Sequence, residues 1–216
     1  MTDALRRLIE TNTLLQSPEF VPEIRLRLAD EPFGVWKQTE DLAGRELPPP
    51  FWAFAWAGGL ALARFVLDHP EFVVGRRVLD FASGSGIVAI AAALAGAAVT
   101  VANDIDECAA AAIALNAAAN GVSLRIDTSN WLVSEGAVAD VVLAGDVFYE
   151  RALGEQVWAF LRRVGRDGAT VLVGDLGRAY LPKEGLAACA AYDVPVGRAL
   201  EDAPIKQTTI WRLASD

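Results

Sequence analysis

Residues 145–150, GDVFYE, close an apolar run, VADVVLAGD, that has the composition of a buried parallel strand. A strand that merely has to stop does so on Gly, Asn or Pro. This one ends on Asp146, with Phe148, Tyr149 and Glu150 just behind it. At the end of a strand in an open α/β sheet, such a carboxylate stands where these sheets bind ligands. A second stretch, VLDFASGSGIVAIAAA (78–93), joins strand to helix through Gly84, Ser85 and Gly86. Glycines allow a tight turn and close backbone approach, and the helix start offers unpaired N–H groups. Roughly twenty residues on, as in nucleotide sites, the next strand ends in VANDID, where Asp104 can accept hydrogen bonds from ribose hydroxyls. A Gly loop and a ribose acid are shared with dinucleotide-binding enzymes. Asp80 separates the two cases, because a carboxylate so close before Gly84 repels a pyrophosphate. It favours a cofactor without phosphate, carrying a cationic amino-acid end and a sulfonium: S-adenosylmethionine.

The elements that must position these groups follow from periodicity. After a Pro-rich joint, LPPPFW (47–52), the pattern predicts a helix over 57–68, strand 76–81, helix 85–95, strand 98–103, helix 106–119, strand 123–127, strand 139–144, helix 151–164 and strand 168–174. This alternation implies a parallel sheet with helices on both faces. The tail differs: YDVPVGRAL and IKQTTIWRL alternate around a polar EDAP turn and predict an antiparallel hairpin at one sheet edge. Before the joint, 3–16 has near-helical apolar spacing, EIRLRLA (23–29) alternates as a half-exposed strand, DEPFG turns the chain and VWK reads as a short returning strand. Residues 1–46 thus form a small helix-and-hairpin appendage to a domain over 47–216.

Composition narrows the function classes. A chain of 216 residues with net charge −9 disfavours nucleic acid, which needs clustered Lys and Arg. Cys108 and Cys189 lie in Ala-rich, helix-like stretches without zinc-type spacing and read as free buried thiols in a reducing compartment. The one histidine, His69, stands at an apparent helix end and reads as a C-terminal cap, which leaves no Ser-His-Asp triad unless it serves one. Neither a signal peptide nor a membrane span is evident, so a cytoplasmic protein is expected.

The stretch DFASGSG resembles the first motif of the seven-strand S-adenosylmethionine-dependent methyltransferases, whose sheet order, 3-2-1-4-5-7-6 with the last strand antiparallel, suits the closing hairpin. FWAFAWAGGLALARFVL (51–67), the first motif and GDVFYE together resemble the lysine methyltransferases of the electron transfer flavoprotein β-subunit; the N-terminal stretch NTLLQSPEFVPEIRLRLADEPFGVWKQTE is similar to bacterial members. The resemblance implies that Trp56 contacts the cofactor's methionine end, that Asn130 and Trp131 of TSNWL serve the adenine, and that Gly145 lies beside the cofactor. It also implies that Asp-x-x-Tyr stands where other amino-methylating relatives carry Asn-Pro-Pro-Tyr. Asp146 would then hold a lysine ammonium, whose ordinary pKa of about 10.4 keeps it protonated. Tyr149 and Phe148 would wall the channel, and residues 1–46 would recognise the protein substrate.

Other readings stay open at this point: a methyltransferase for a ribosomal protein or a small amine, a nicotinamide-dependent oxidoreductase, or a non-catalytic binding module. Against the oxidoreductase stand Asp80 and the lack of a Tyr-x-x-x-Lys pair, since YLPK (180–183) has the wrong spacing. For Asp146 the structural alternative is a cap on the helix that starts near Arg151, and for Trp131 it is a place in the core.

Overall fold

Strand residues that alternate between two apolar faces need a helix layer on each side, and the chain supplies both. A computed structural model describes residues 3–133, 139–197 and 203–214. Its elements are α1 (Asp3–Asn12), β1 (Leu14–Gln16), β2 (Leu26–Leu28), α2 (Pro32–Ala43), a 3-10 turn (Phe51–Ala53), α3 (Ala57–Asp68), β3 (Arg77–Phe81), α4 (Ile87–Leu94), β4 (Val99–Asn103), α5 (Glu107–Ala119), β5 (Arg125–Asp127), β6 (Val141–Gly145), α6 (Arg151–Arg166), β7 (Thr170–Asp175), β8 (Leu186–Pro195) and β9 (Ile205–Leu213). The main sheet runs β5-β4-β3-β6-β7-β9-β8, which in chain order of its own strands is 3-2-1-4-5-7-6. All its pairs are parallel except those of β9, which is antiparallel to both neighbours.

Register sorts the core. Val78, Val141, Leu143 and Leu172 face α3 and α4, while Leu79, Phe81, Val142, Ala144, Val171 and Val173 face α6. A third cluster joins Ile9 of α1 and Val35 of α2 to Trp52, Ala53, Phe54 and the Cys108–Ala112 turn of α5. α1 and α2 are therefore seated on α5 through apolar burial.

Several local expectations change. The first helix stops at Asn12, where the Thr13 hydroxyl donates to the Ile9 carbonyl, and Leu14–Gln16 pair antiparallel with Leu26–Leu28. VWK is helical: Glu31 caps α2 by accepting from the Phe33 and Gly34 N–H groups, and Gly44 closes it at φ 65°. The Glu-Pro start and Gly stop were the signal for that helix. Cys189 lies in a strand and is exposed, so only Cys108 is the buried thiol, its pKa pushed up to about 12 by burial and Asp106; both are free. β8 begins earlier than the tail's alternation suggests, because LAACAAY, helix-like by composition, pairs with β9 through a bulge between Ala188 and Ala190. His69 is the C-cap residue of α3, its N–H on the Phe65 carbonyl. Part of the EDAP turn lies outside the described residues.

The contact that positions the site is made of glycines. A Cβ on Gly58 would collide with the Gly174 carbonyl oxygen, and one on Gly145 would stand 2.9 Å from the Gly59 backbone. The first turn of α3 thus rests backbone-to-backbone on the ends of β6 and β7, which Gly145 and Gly174 bring side by side. A Cβ on Gly59 would meet only Ile87 at an ordinary 3.5 Å. Gly58→Ala should therefore destabilise the fold by about 1–3 kcal/mol or more through overpacking. Gly59→Ala should be neutral or stabilising by up to about 1 kcal/mol from helix propensity. Urea unfolding of the two variants checks the difference; equal effects would contradict the seating.

Candidate active site

Asp146 continues the β6 ladder by one bond, its N–H on the Gly174 carbonyl at 3.0 Å, and then leaves it at φ 56°. Its Oδ2 accepts the Gly59 N–H at 2.8 Å, one of the unpaired donors in the first turn of α3. Its Oδ1 faces Arg178 Nη2 at 3.3 Å. The side chain is 10% exposed, and burial pushes its pKa up to about 6, against the pull of Arg178 and the Gly59 N–H. The helix that Asp146 serves is α3 and not α6: the N-cap of α6 is Glu150, without a side-chain cap bond. The only other non-glycine residue at positive φ among those described is Ala82, at φ 54°, just past the end of the neighbouring strand β3. Two such backbones thus stand side by side at the carboxyl edge of the sheet, the edge at which open α/β folds bind ligands.

The aromatic residues divide. Tyr149 is 47% exposed, its ring 5.4 Å from that of Phe51, and burial, Glu150 and Asp104 raise its pKa. Phe51 lies 5.8 Å from Trp56, and Trp56 lies 6.3 Å from Phe54. Trp56 is half-buried, precedes α3 as its N-cap residue and donates Nε1–H to the Phe51 carbonyl at 2.9 Å. Phe148 does not stand beside Tyr149 on this surface: it is fully buried in the cluster under α6, where Gly154 leaves room for its ring. Phe51 takes the place beside Tyr149 that was expected of Phe148. The aromatic-rich FWAFAW stretch carried that signal.

The loop after β3 is built from within. Asp80 is 1% exposed; its Oδ2 accepts the Ser83 hydroxyl and the Ala89 N–H. Burial raises its pKa to about 7. It therefore ties the loop to α4 from behind. Gly84 is the open position: at φ 53°, a Cβ there would meet nothing nearer than the Trp52 Cα at 4.0 Å. Gly86, at φ 84°, would instead press on Ile113 at 3.2 Å, so its lack of a side chain serves helix packing. Ser85 is buried, its carbonyl held by the Asn116 amide. Asp104 accepts the Gly84 N–H at 2.9 Å and the Asp106 N–H at 3.0 Å, one on each oxygen, so each oxygen retains a lone pair. Burial raises its pKa as well. This cradle, with Asp104 in front and Asp80 behind, fits a cationic, phosphate-free cofactor.

After β5 the expected adenine residues have other work. Asp127 accepts Ser129 on one oxygen and the Trp131 indole N–H on the other, at 2.9 Å. Trp131 is half-buried and packs against the α6 cluster, and the Arg163 guanidinium donates to its carbonyl. Asn130 is exposed and its Oδ1 accepts the Leu132 N–H. Trp131 thus packs one side on the α6 cluster while remaining half-buried, and Asn130 lies exposed beside it.

Asp175 and Arg178 were missed from sequence. β7 ends on Gly174-Asp175 as β6 ends on Gly145 with Asp146 next, and the register sets the glycines side by side. The repeated Gly-Asp was the available signal. Asp175 is fully buried, and its Oδ1 accepts the Gly177 and Arg178 N–H groups at 2.7 Å each.

Two buried carboxyls with raised pKa values set a pH dependence. Asp80 and Asp146 hold their protons to about 7 and about 6 when folded, but only to about 3.9 in the unfolded chain. The unfolded chain therefore releases these protons first. Their stabilising contribution is full below about pH 4 and is lost as pH rises through these folded values, for Asp80 on the order of a few kcal/mol. Asp80→Asn retains an acceptor for Ser83 and Ala89 and should flatten the fall in melting temperature between about pH 4 and 7. A variant whose melting curve parallels the wild type across that range would contradict this.

The family profile described as ribosomal protein L11 methyltransferase (PrmA) matches residues 66–172, from the end of α3 to β7. Among solved structures, the fold is shared with the ribosomal protein L11 methylase from Lactobacillus delbrueckii subsp. bulgaricus (TM-score 0.52, 20% identity, covering 74% of this chain and 81% of that one). The electron transfer flavoprotein β-subunit lysine methyltransferase of Danio rerio is 37% identical over 217 residues, 97% of this chain and 83% of that protein. That of Homo sapiens is 39% identical over 177 residues, 81% of this chain and 67% of that protein. Similarity at this level, running through α3, the glycine loop and the strand that ends on Asp146, shows that the chain belongs to the electron transfer flavoprotein β-subunit lysine methyltransferase family.

Proposed function

We propose that the chain is an S-adenosylmethionine-dependent protein-lysine methyltransferase that acts on the electron transfer flavoprotein β-subunit. The observation that carries the reading is Asp146: a nearly buried carboxylate with one oxygen locked on Gly59 and the other turned toward a cation. Bound at the Gly84 loop, S-adenosylmethionine would supply a methyl group activated by its sulfonium. Asp104 would accept the ribose hydroxyls, and Trp56, Gly84 and the first turn of α4 would border the methionine end. Asn130, three residues past the end of β5, would serve the adenine, and the half-buried Trp131 would support that rim.

The chain's own groups would then handle the nucleophile. A lysine ammonium has no lone pair until it loses a proton. Asp146 is mostly ionised at about pH 8, can orient the ammonium, and can assist its deprotonation. Phe51 and Tyr149 would line the alkyl stem's path and give the cation a π face. Holding the amine in line with the methyl group supplies much of the rate. Residues 1–46, which expose Leu14 and Phe33, would form the surface that meets the protein substrate. Nucleic acid and membrane take no part in the proposal, and the free thiols Cys108 and Cys189 suit the cytoplasmic location it includes. No helix among the described residues is long and apolar enough to cross a membrane.

Purified β-subunit and labelled S-adenosylmethionine test the reading, and label on its lysines is expected. Asp146→Asn keeps an acceptor for the Gly59 N–H and should retain most cofactor affinity while turnover falls by about two orders of magnitude or more. Turnover within about threefold of wild type would make Asp146 only a helix anchor. Asp104→Ala should weaken cofactor binding by about 1.5–3 kcal/mol by calorimetry, and unchanged affinity would remove Asp104 from the site. Deleting residues 1–46 would uncover the α5 cluster, so the recognition surface is better tested by Leu14→Ser with Phe33→Ser. The pair should lower protein methylation while leaving cofactor binding intact. If a ribosomal protein takes up label and the β-subunit does not, the substrate assignment passes to that class.

A further inference from the structure

Asp146 Oδ1 already has a cation. Its Oδ2 is committed to α3, so Oδ1 is the oxygen a substrate ammonium would need, and Arg178 Nη2 stands 3.3 Å from it. Tight charge-assisted bonds of this type run to about 2.7–2.9 Å, so the pair is a loose one. We propose that Arg178 is a specificity residue that acts as an internal stand-in for the substrate: its guanidinium occupies the cation position on Asp146 and yields it to the ammonium of an entering lysine. This rests on the lysine-methyltransferase reading.

Three features fit an exchange. First, the lever is short and its base is fixed. Asp175 Oδ1 holds the Gly177 and Arg178 N–H groups, and Gly177 turns the chain at φ 87°. Second, the arm beyond that base can leave, because the Arg178 side chain is 21% exposed. Third, the charges favour replacement over addition. The groups that face Asp146 are Arg178 from the loop after β7, the buried Asp175 carboxylate at the end of β7, and the Gly59 N–H of α3. Swapping guanidinium for ammonium keeps the net charge of this group. Adding an ammonium without displacement would crowd two cations onto one oxygen. A neutral side chain cannot make the swap, so the arrangement selects for a cationic one.

The test uses the full chain and n-butylammonium, which copies a lysine stem and head, at about pH 7.5. Carbon-13 carboxyl and nitrogen-15 guanidinium resonances report Asp146 and Arg178. In wild type the two signals should shift together with one midpoint concentration. In Arg178→Gln, or Arg178→Met should Gln not fold, the Asp146 midpoint should fall by about fivefold, as removal of a state that blocks most molecules requires. A moving Asp146 with a stationary Arg178, no movement of either, or an unchanged or higher midpoint in the variant would each overturn the proposal. Kinetics on the flavoprotein β-subunit should show a lower KM in the same variant, and an unchanged or raised KM would count against the exchange. If the wild type does not methylate that subunit, the substrate reading fails, while the n-butylammonium titration still decides the exchange.

Discussion

The bond from the Gly59 N–H to the Asp146 carboxylate is the contact on which the site depends. It requires a helix start pressed against two strand ends, and that approach is possible only because Gly58, Gly145 and Gly174 carry no Cβ where one would collide. The same contact fixes which oxygen of Asp146 remains available, and it aims the α3 dipole at a carboxylate that burial would otherwise keep protonated. Since α3 also carries Trp56 at its start, the aromatic rim of Phe51 and Tyr149 is placed by the same seat.

The cofactor side uses a division of labour among carboxylates. Asp80 is inside and sets loop shape through Ser83 and Ala89; Asp104 is in front and keeps acceptor capacity. From sequence, Asp80 was the carboxylate that disfavours a pyrophosphate at the glycine loop. With a folded pKa of about 7, however, Asp80 is only partly charged at neutral pH, and burial raises the pKa of Asp104 as well.

The alternation of helices and strands and the closing hairpin were legible because long apolar periodic segments leave few alternatives; the strand order came from the resemblance to the seven-strand methyltransferases. Asp146 stood out as a carboxylate closing an apolar strand, whereas Trp56 and Tyr149 were assigned through the family resemblance, and their roles belong to the proposal. Phe148 could not be separated from Tyr149 by spacing alone: the positive φ at Asp146 resets which side chains turn inward, and that is a backbone event the letters do not announce. α2 was hidden because Val35-Trp36-Lys37 reads as a strand until its Glu31 cap and Gly44 stop are weighed together. Arg178 escaped because its role needs two strand ends side by side, a fact of register and not of local sequence.

Asp146 is proposed to receive the substrate's ammonium on the oxygen that α3 leaves available. A crystal structure of the chain with S-adenosylhomocysteine and a lysine-bearing segment of the flavoprotein β-subunit would show this geometry outright. The lysine Nζ is expected within about 3.5 Å of Asp146 Oδ1, with Oδ2 still on the Gly59 N–H. A lysine bound with its Nζ beyond about 5 Å from Asp146 and directed to other acceptors would contradict it.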